Sequence, residues 1–259
     1  MLPKFFKPFR SKKQNLLRIG PKSDGGYIID RRVIKKTPVV ISCGLNDDWE
    51  FERHFLKFNP SCKIIAYDHT VNDKFWRKRF KKDFKNLIFL KKLKLNQILD
   101  VFKYLDYKLF FNEKNIHYEK KVVLKKKNKN EITIQNVLKN QQNLVLKIDI
   151  EGDEYNILDQ IKRDYKKINL LIIEFHNISK SLKKIKNFIS MSKYKLIHIH
   201  GNNYAGLDNF KNPNVIECTF INNKKFKVSR YKSKYKYPIP NLDYKNFKRR
   251  NDIDLNFNE

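Results

Sequence analysis

At 259 residues the chain has room for one α/β domain with appendages, and its 41% hydrophobic residues, 20 Phe and 13 Tyr among them, suffice for a core. The formal charge of +30 comes from 57 Lys plus Arg against 27 Asp plus Glu; the lysines are spread along the chain rather than clustered, so the charge reads as compositional, with nucleic acid or an anionic membrane surface as the lesser expectation. Cys43, Cys62 and Cys218 are too few and too unevenly spaced for a zinc knuckle or disulfide framework, which suits reduced thiols in the cytoplasm, and no apolar run reaches signal-peptide or membrane-span length.

MLPKFFKPFRSKK, ending at Lys13, carries two prolines and reads with Gln14 and Asn15 as a poorly ordered basic leader, residues 1–15; Leu2, Phe5, Phe6 and Phe9 give it at most a weak membrane contact. In residues 16–30 the Asp24-Gly25-Gly26 turn precedes a short strand at Tyr27–Ile29. Turn chemistry makes these glycines structural, although paired glycines also allow close approach to a ligand.

Val39-Val40-Ile41 is an apolar run suited to a central parallel strand. Gly44 follows, then Asn46, Asp47 and Asp48 as candidate caps, then a helix burying Phe51, Phe55 and Phe58. Neither a G-x-G-x-x-G fingerprint nor a G-x-x-x-x-G-K-[ST] phosphate loop is present. The loop is acidic, which suits a ligand carrying positive charge. A second strand, residues 62–70, ends at Asp68 and His69; a carboxylate at that tip can take the hydroxyls of a ribose. Asn86–Lys92 reads as a third strand and Asn96–Tyr104 as a helix, while residues 106–130 resist assignment, with strand pieces at LFF and VVL and a solvated lysine-rich connection. Ile132–Leu138 leads into a short helix.

Leu144–Leu158, LVLKIDIEGDEYNIL, organises the rest. Leu144, Leu146, Ile148 and Ile150 alternate with Val145, Lys147, Asp149 and Glu151, the period of a strand. Gly152 permits a turn, Asp153 can cap a helix, and Tyr155, Leu158, Ile161 and Tyr165 follow at helical spacing. In an open parallel sheet the groups just beyond the strands' carboxyl ends face the ligand crevice, which puts Asp149 and Glu151 there. Residues 168–178 form another apolar strand, ending in Glu174 and His176 on one face; Lys147 is a structural counter-ion for these carboxylates. Residues 195–204 and 214–223 are two further strands placed to pair antiparallel at an edge, and His198 with His200 reads as structural rather than metal-binding. Residues 224–259 are Lys- and Tyr-rich, with Pro238 and Pro240.

Several of these stretches together resemble the FkbM-type S-adenosylmethionine-dependent methyltransferases, especially a bacterial subgroup associated with surface polysaccharides. LKIDIEGDEYNIL at 146–158 carries the resemblance most strongly, joined by DGGYIID at 24–30, ISCGLNDDWEFE at 41–52, AYDHT at 66–70, IIEFH at 172–176, HGNN at 200–203 and YPIPNLDYKNFKRRNDIDLNF at 237–257. The resemblance implies an α/β class I methyltransferase (Rossmann-like) three-layer fold, with a mostly parallel seven-stranded sheet and an antiparallel edge. Residues 16–223 would form the methyltransferase domain and 224–259 an extension packed on it. It implies S-adenosyl-L-methionine as cofactor, with the 43–48 loop (Cys43, Gly44, Asn46, Asp47) at the methionine part, Asp68 with His69 at the ribose, and Asp24, Gly25, Gly26 and Tyr27 folded over the site. It departs from many methyltransferases in reducing the glycine-rich first loop to Gly44.

A sulfonium donor agrees with an acidic crevice. Methyl transfer to a sugar hydroxyl asks for positioning and removal of one proton, and Asp149 and Glu151, then Glu174 and His176, are the catalytic candidates. Alternatively, Asp149, Glu174 and His176 could ligate a divalent metal. The expectation is therefore an O-methyltransferase acting on a sugar of a surface glycan or its precursor. The alternatives are an RNA ribose 2′-O-methyltransferase, or an inactive binding module with the same fold. No NPPY-type or DPPY-type tetrapeptide is present, which speaks against base amino methylation.

Overall fold

The computed structural model describes residues 1–88 and 102–258. Its centre is a seven-stranded sheet of β3 (Val39–Cys43), β4 (Lys63–Tyr67), β5 (Ile116–Tyr118), β8 (Leu144–Ile148), β9 (Ile168–His176), β10 (Tyr194–Gly201) and β11 (Val215–Asn222), in the order β10-β11-β9-β8-β3-β4-β5. From β9 to β5 neighbouring strands run parallel; β11 is antiparallel to both β9 and β10. β3 and β8 are buried at every position, as their near-continuous apolar runs require of strands covered on both faces. The class I methyltransferase architecture expected from the sequence is present.

The chain leaves β3 through helix Glu50–Phe58 towards β4, and leaves β8 through helix Glu154–Arg163 towards β9 on the other side. Right-handed crossovers in opposite directions put these helices on opposite faces of the sheet. They also make the β3–β8 boundary the point where strand order reverses, the place at which such sheets bind ligands. A ribbon of β1 (Leu16–Ile19) and β2 (Tyr27–Asp30) and a pair of β6 (Lys121–Val123) and β7 (Glu131–Thr133) complete the strands.

Four sequence expectations change. Asn86–Ile88 are the end of helix Asp73–Ile88 rather than the start of a strand, because Phe75, Trp76, Phe80 and Phe84 continue at helical spacing; residues 89–92 lie outside the described residues. The sheet position expected for that strand belongs to β5. Of the expected helix Asn96–Tyr104, residues 96–101 lie outside the described residues, and Lys103 and Tyr104 open helix Lys103–Phe110, which also absorbs most of LFF. The leader is packed rather than loose. Leu2 and Phe6 are buried, Phe9 N donates to Leu196 O at 2.7 Å, and Leu2 exchanges backbone bonds with Asn256 and Asn258. Two chain ends zip together on the sheet's edge, a contact no local pattern reveals. Within 224–259, Phe226, Tyr237, Ile239 and Leu255 are buried against the core.

Candidate active site

The carboxyl ends of β3 and β8 meet backbone to backbone. Gly44 sits at φ +87°, and a Cβ there would lie 1.7 Å from the Asp149 carbonyl oxygen. Asp149 N donates to Cys43 O at 2.8 Å and Gly44 N to Tyr67 O at 2.9 Å, which ties the first loop to both neighbouring strands. Glycine is needed here for close approach as well as for its left-handed φ. Cys43 offers a backbone carbonyl only, since burial pushes its thiol up to about 12.

The rest of that loop divides its duties. Asp48 Oδ1 accepts from Glu50 N at 2.8 Å and so caps the helix start, while Gly25 of the Asp24–Tyr27 turn packs beside its other oxygen. Asp47, expected at the cofactor, pairs with Arg79 instead and has Lys103 3.8 Å away. Its partners come from helices far along the chain, which is why the sequence did not separate it from Asp48. Asn46 is exposed at φ +52°, and its amide donates to Asp68 at 2.9 Å.

Asp68 uses all four acceptor positions of its carboxylate on its own chain. Leu45 N and Asn46 N donate to Oδ2 at 2.8 and 2.9 Å, and Thr70 N and Oγ1 to Oδ1 at 2.7 and 2.6 Å. Burial alone would raise its pKa, but these bonds outweigh it and hold the group below its ordinary value. In this structure Asp68 clamps the first loop to the second strand. His69 beside it is exposed and has no side-chain partner among the described residues.

Beyond β8 the backbone turns through Glu151 at φ +54° and Gly152 at φ +103°. Glu154 holds this turn: fully buried, it accepts from Gly152 N at 2.8 Å with one oxygen and from His176 N at 2.8 Å with the other. Asp153 makes no capping bond, contrary to expectation, and is drawn to Lys121 at 2.6 Å. The turn presents Asp149 and Glu151 to the His176 ring, with Nε2 3.7 Å from Asp149 Oδ1 and 3.4 Å from Glu151 Oε2. Tyr155 Oη donates to the His176 carbonyl at 2.5 Å, fixing the end of β9. Crowding raises Asp149 to about 6: burial pushes it up, Lys147 and His176 pull it down, and Glu151 and Asp24 push it up again. His176 is raised above its ordinary 6.5, because Glu154, Asp149 and Glu151 outweigh the opposing effect of burial.

Glu174 does not join this group. Its carboxylate accepts from Asn202 at 2.8 Å and Tyr27 Oη at 3.4 Å, and burial with the charges of Asp149, Glu217 and Asp24 pushes it well above the ordinary range. The metal-competent trio is therefore Asp149, Glu151 and His176, with one ligand atom from each within 4.8 Å of the others, and not the expected set with Glu174. Lys147 is the buried counter-ion the sequence suggested, but its nearest carboxylate is Glu52 at 3.4 Å. Glu52 also takes Ser42 Oγ at 2.5 Å and joins the β3, β8 and helix layers.

Sequence reasoning missed Glu217, Asn202 and Asn246. Glu217 could have been flagged as the lone charge in the apolar strand VIECTFIN, and Asn202 and Asn246 both stand in stretches quoted for family likeness.

The profile of the methyltransferase FkbM domain matches residues 42–196, more than half of the chain, and takes in the Gly44 loop, Asp68 and the Asp149–His176 cluster. The chain belongs to this family. It is an S-adenosylmethionine-dependent methyltransferase. No curated protein matches the sequence. Among solved structures, the Methanococcus jannaschii fibrillarin pre-rRNA processing protein is 10% identical over 73% of this chain and 67% of that one, with a TM-score of 0.37. Precorrin-6y C5,15-methyltransferase from Geobacter metallireducens GS-15 is 11% identical over 74% and 87%, with a TM-score of 0.36. M. jannaschii TYW2, in complex with AdoMet, is 10% identical over 82% and 89%, with a TM-score of 0.34. Likeness at this level fixes no residue-by-residue correspondence. No helix among the described residues is long and apolar enough to cross a membrane.

Proposed function

We propose that this FkbM-family enzyme methylates a sugar hydroxyl of a surface glycan or its precursor in the cytoplasm, with Asp149 as the proton acceptor. The observation carrying this reading is the placement of Asp149 at the strand-order reversal, beside Gly44 and facing His176 Nε2 at 3.7 Å. When bound, S-adenosylmethionine supplies the methyl group as a sulfonium and departs as a neutral thioether, so the acceptor needs only to lose its hydroxyl proton.

The chain's own groups fit that demand. Asp149, at about 6, is ionised at neutral pH and still basic enough to take a proton, the balance a general base needs. His176, 3.7 Å away and beyond hydrogen-bond reach, steadies the ionised carboxylate electrostatically. Gly44 lets the first loop lie on Asp149, so a donor seated along that loop comes next to the base. The loop backbone from Leu45 to Asp48 and the Asp24–Tyr27 turn would hold the donor, and Asp68 would keep the loop in shape.

A second reading, methylation of an RNA ribose 2′-hydroxyl, draws on the charge of +30. Calorimetric titration with S-adenosylmethionine, followed by transfer of labelled methyl to a surface-glycan extract or to bulk RNA, separates the two. Label in the glycan supports the proposal. Label in RNA alone replaces it with the second reading, and folded protein that does not bind the donor removes both.

A further inference from the structure

Outside the segment matched by the family profile, a further set of polar groups borders the crevice beside Glu174. Asn246, from the C-terminal segment, donates its amide nitrogen to Asp24 Oδ1 at 2.8 Å and to Glu217 Oε1 at 2.5 Å. Its amide oxygen is buried and has no partner, although the residue is only 8% exposed. A buried acceptor left unpaired costs stability unless a donor reaches it. Asp24 is exposed, so the group opens to solvent at that side, while Glu217, Glu174 and Asn202 are buried.

The surrounding bonds brace these groups. His200 stands 3.3 Å from Glu217 through Nδ1 and 3.1 Å from Asp252 through Nε2, and His198 stands 3.1 Å from Asp243. Asp243 Oδ2 also accepts from Ile239 N at 2.6 Å, which fastens the segment carrying Asn246 to the edge strands. Arg18 donates to the carbonyls of Pro21, Ser23 and Leu242, which uses three of its five N–H groups. The capacity left over at this place includes the Asn246 amide oxygen, with carboxylate oxygens of Asp24 and Glu217 beside it. All of these are hydrogen-bond acceptors.

Resting on the reading that the enzyme methylates a sugar, we propose that Asp24, Glu217 and Asn246 form the recognition subsite for the acceptor ring, taking hydrogen bonds from hydroxyls beside the one that is methylated. A set of acceptors selects a ligand rich in donors, which a polyhydroxylated sugar is. A site built to bond hydroxyls also rejects analogues that lack them, so these residues set specificity.

The test compares wild type, Asn246→Ala and Glu217→Gln. Methyl-labelled S-adenosylmethionine is the donor, and a surface-glycan extract of the source organism or bulk RNA is the acceptor. Donor affinity is measured separately by calorimetry. Glu217→Gln keeps the shape of the side chain, and thermal melts of both variants confirm that they are folded. The expected result is a rise of tenfold or more in half-saturating glycan concentration for both variants, with the donor dissociation constant within twofold of wild type. Wild-type transfer to glycan with unchanged half-saturation in Glu217→Gln overturns the subsite alone, as does an equal loss of donor affinity. Wild-type label in RNA only, or in neither acceptor, overturns the glycan reading and the subsite with it.

Discussion

Asp149 Oδ1 and His176 Nε2 lie 3.7 Å apart across the carboxyl ends of β8 and β9, and each changes what the other's proton costs. Burial and neighbouring acids raise Asp149 to about 6, while the histidine pulls it back down. A group whose folded pKa exceeds its unfolded value contributes stability that is present below the unfolded value and lost as pH rises through the folded one. At pH 8 the ionised Asp149 therefore works against folding. Asp149→Asn should lower transfer by 100-fold or more yet raise the melting temperature at pH 8 by roughly 2–4 °C. Calorimetric melts alongside turnover check both halves, and an inactive variant that is also destabilised at pH 8 contradicts the assignment.

The pH dependence of turnover should show an acid limb near 6, from protonation of Asp149. Because His176 lowers the Asp149 pKa, His176→Gln should move that limb to higher pH as well as slow transfer by about tenfold or more. Rate profiles from pH 5 to 9 test this; a limb that stays in place would show that the two residues are not coupled.

Two glycines at positive φ should respond differently to alanine. At Gly44 a Cβ would collide with the Asp149 carbonyl, so Gly44→Ala should cost more than about 3 kcal/mol and abolish donor binding. At Gly152 nothing lies within 4 Å of an added Cβ, so only the left-handed backbone is penalised, at about 1–2 kcal/mol. Denaturant melts of both variants decide; equal costs would mean that the close approach at Gly44 is not what requires glycine.

Attachment of the C-terminal segment should depend on pH through His200. Burial disfavours its charge, but bonds to Asp252 and Glu217 outweigh burial and raise it to about 10. Its contribution is complete below the unfolded value near 6.5 and disappears as pH rises through about 10. His200→Gln should therefore destabilise the protein by about 3–5 kcal/mol at pH 6, because it leaves buried carboxylates uncompensated, and by much less at pH 10.5. Melts at the two pH values measure the difference, and a deficit that does not change with pH would contradict the charge assignment.

The sheet and its switch point were legible because strands β3, β8 and β9 are buried on both faces, and such strands announce themselves as apolar runs. The motif beginning at Leu144 was legible for the same reason, with Asp149 standing where the run ends. Partnerships made at a distance were not legible. Asp47 and Asp48 look alike in sequence and part company only because Arg79 reaches one of them. Asp68, expected at the ribose, takes four hydrogen bonds from donors of its own chain, and those donors acquire direction only when the loop folds. Glu154, at the start of a helix, is the buried bracket between Gly152 and His176, a role that only the fold assigns. The packed chain ends and Asn246 escaped notice because their contacts span most of the sequence.

The most direct measurement of the central claim is single-turnover transfer of labelled methyl from S-adenosylmethionine to a surface-glycan extract, comparing wild type with Asp149→Asn at matched donor occupancy. The account predicts label in the glycan hydroxyl fraction for wild type and at least 100-fold slower transfer for a variant that still binds the donor. Equal rates for the two proteins, or label that appears only in RNA, would contradict it.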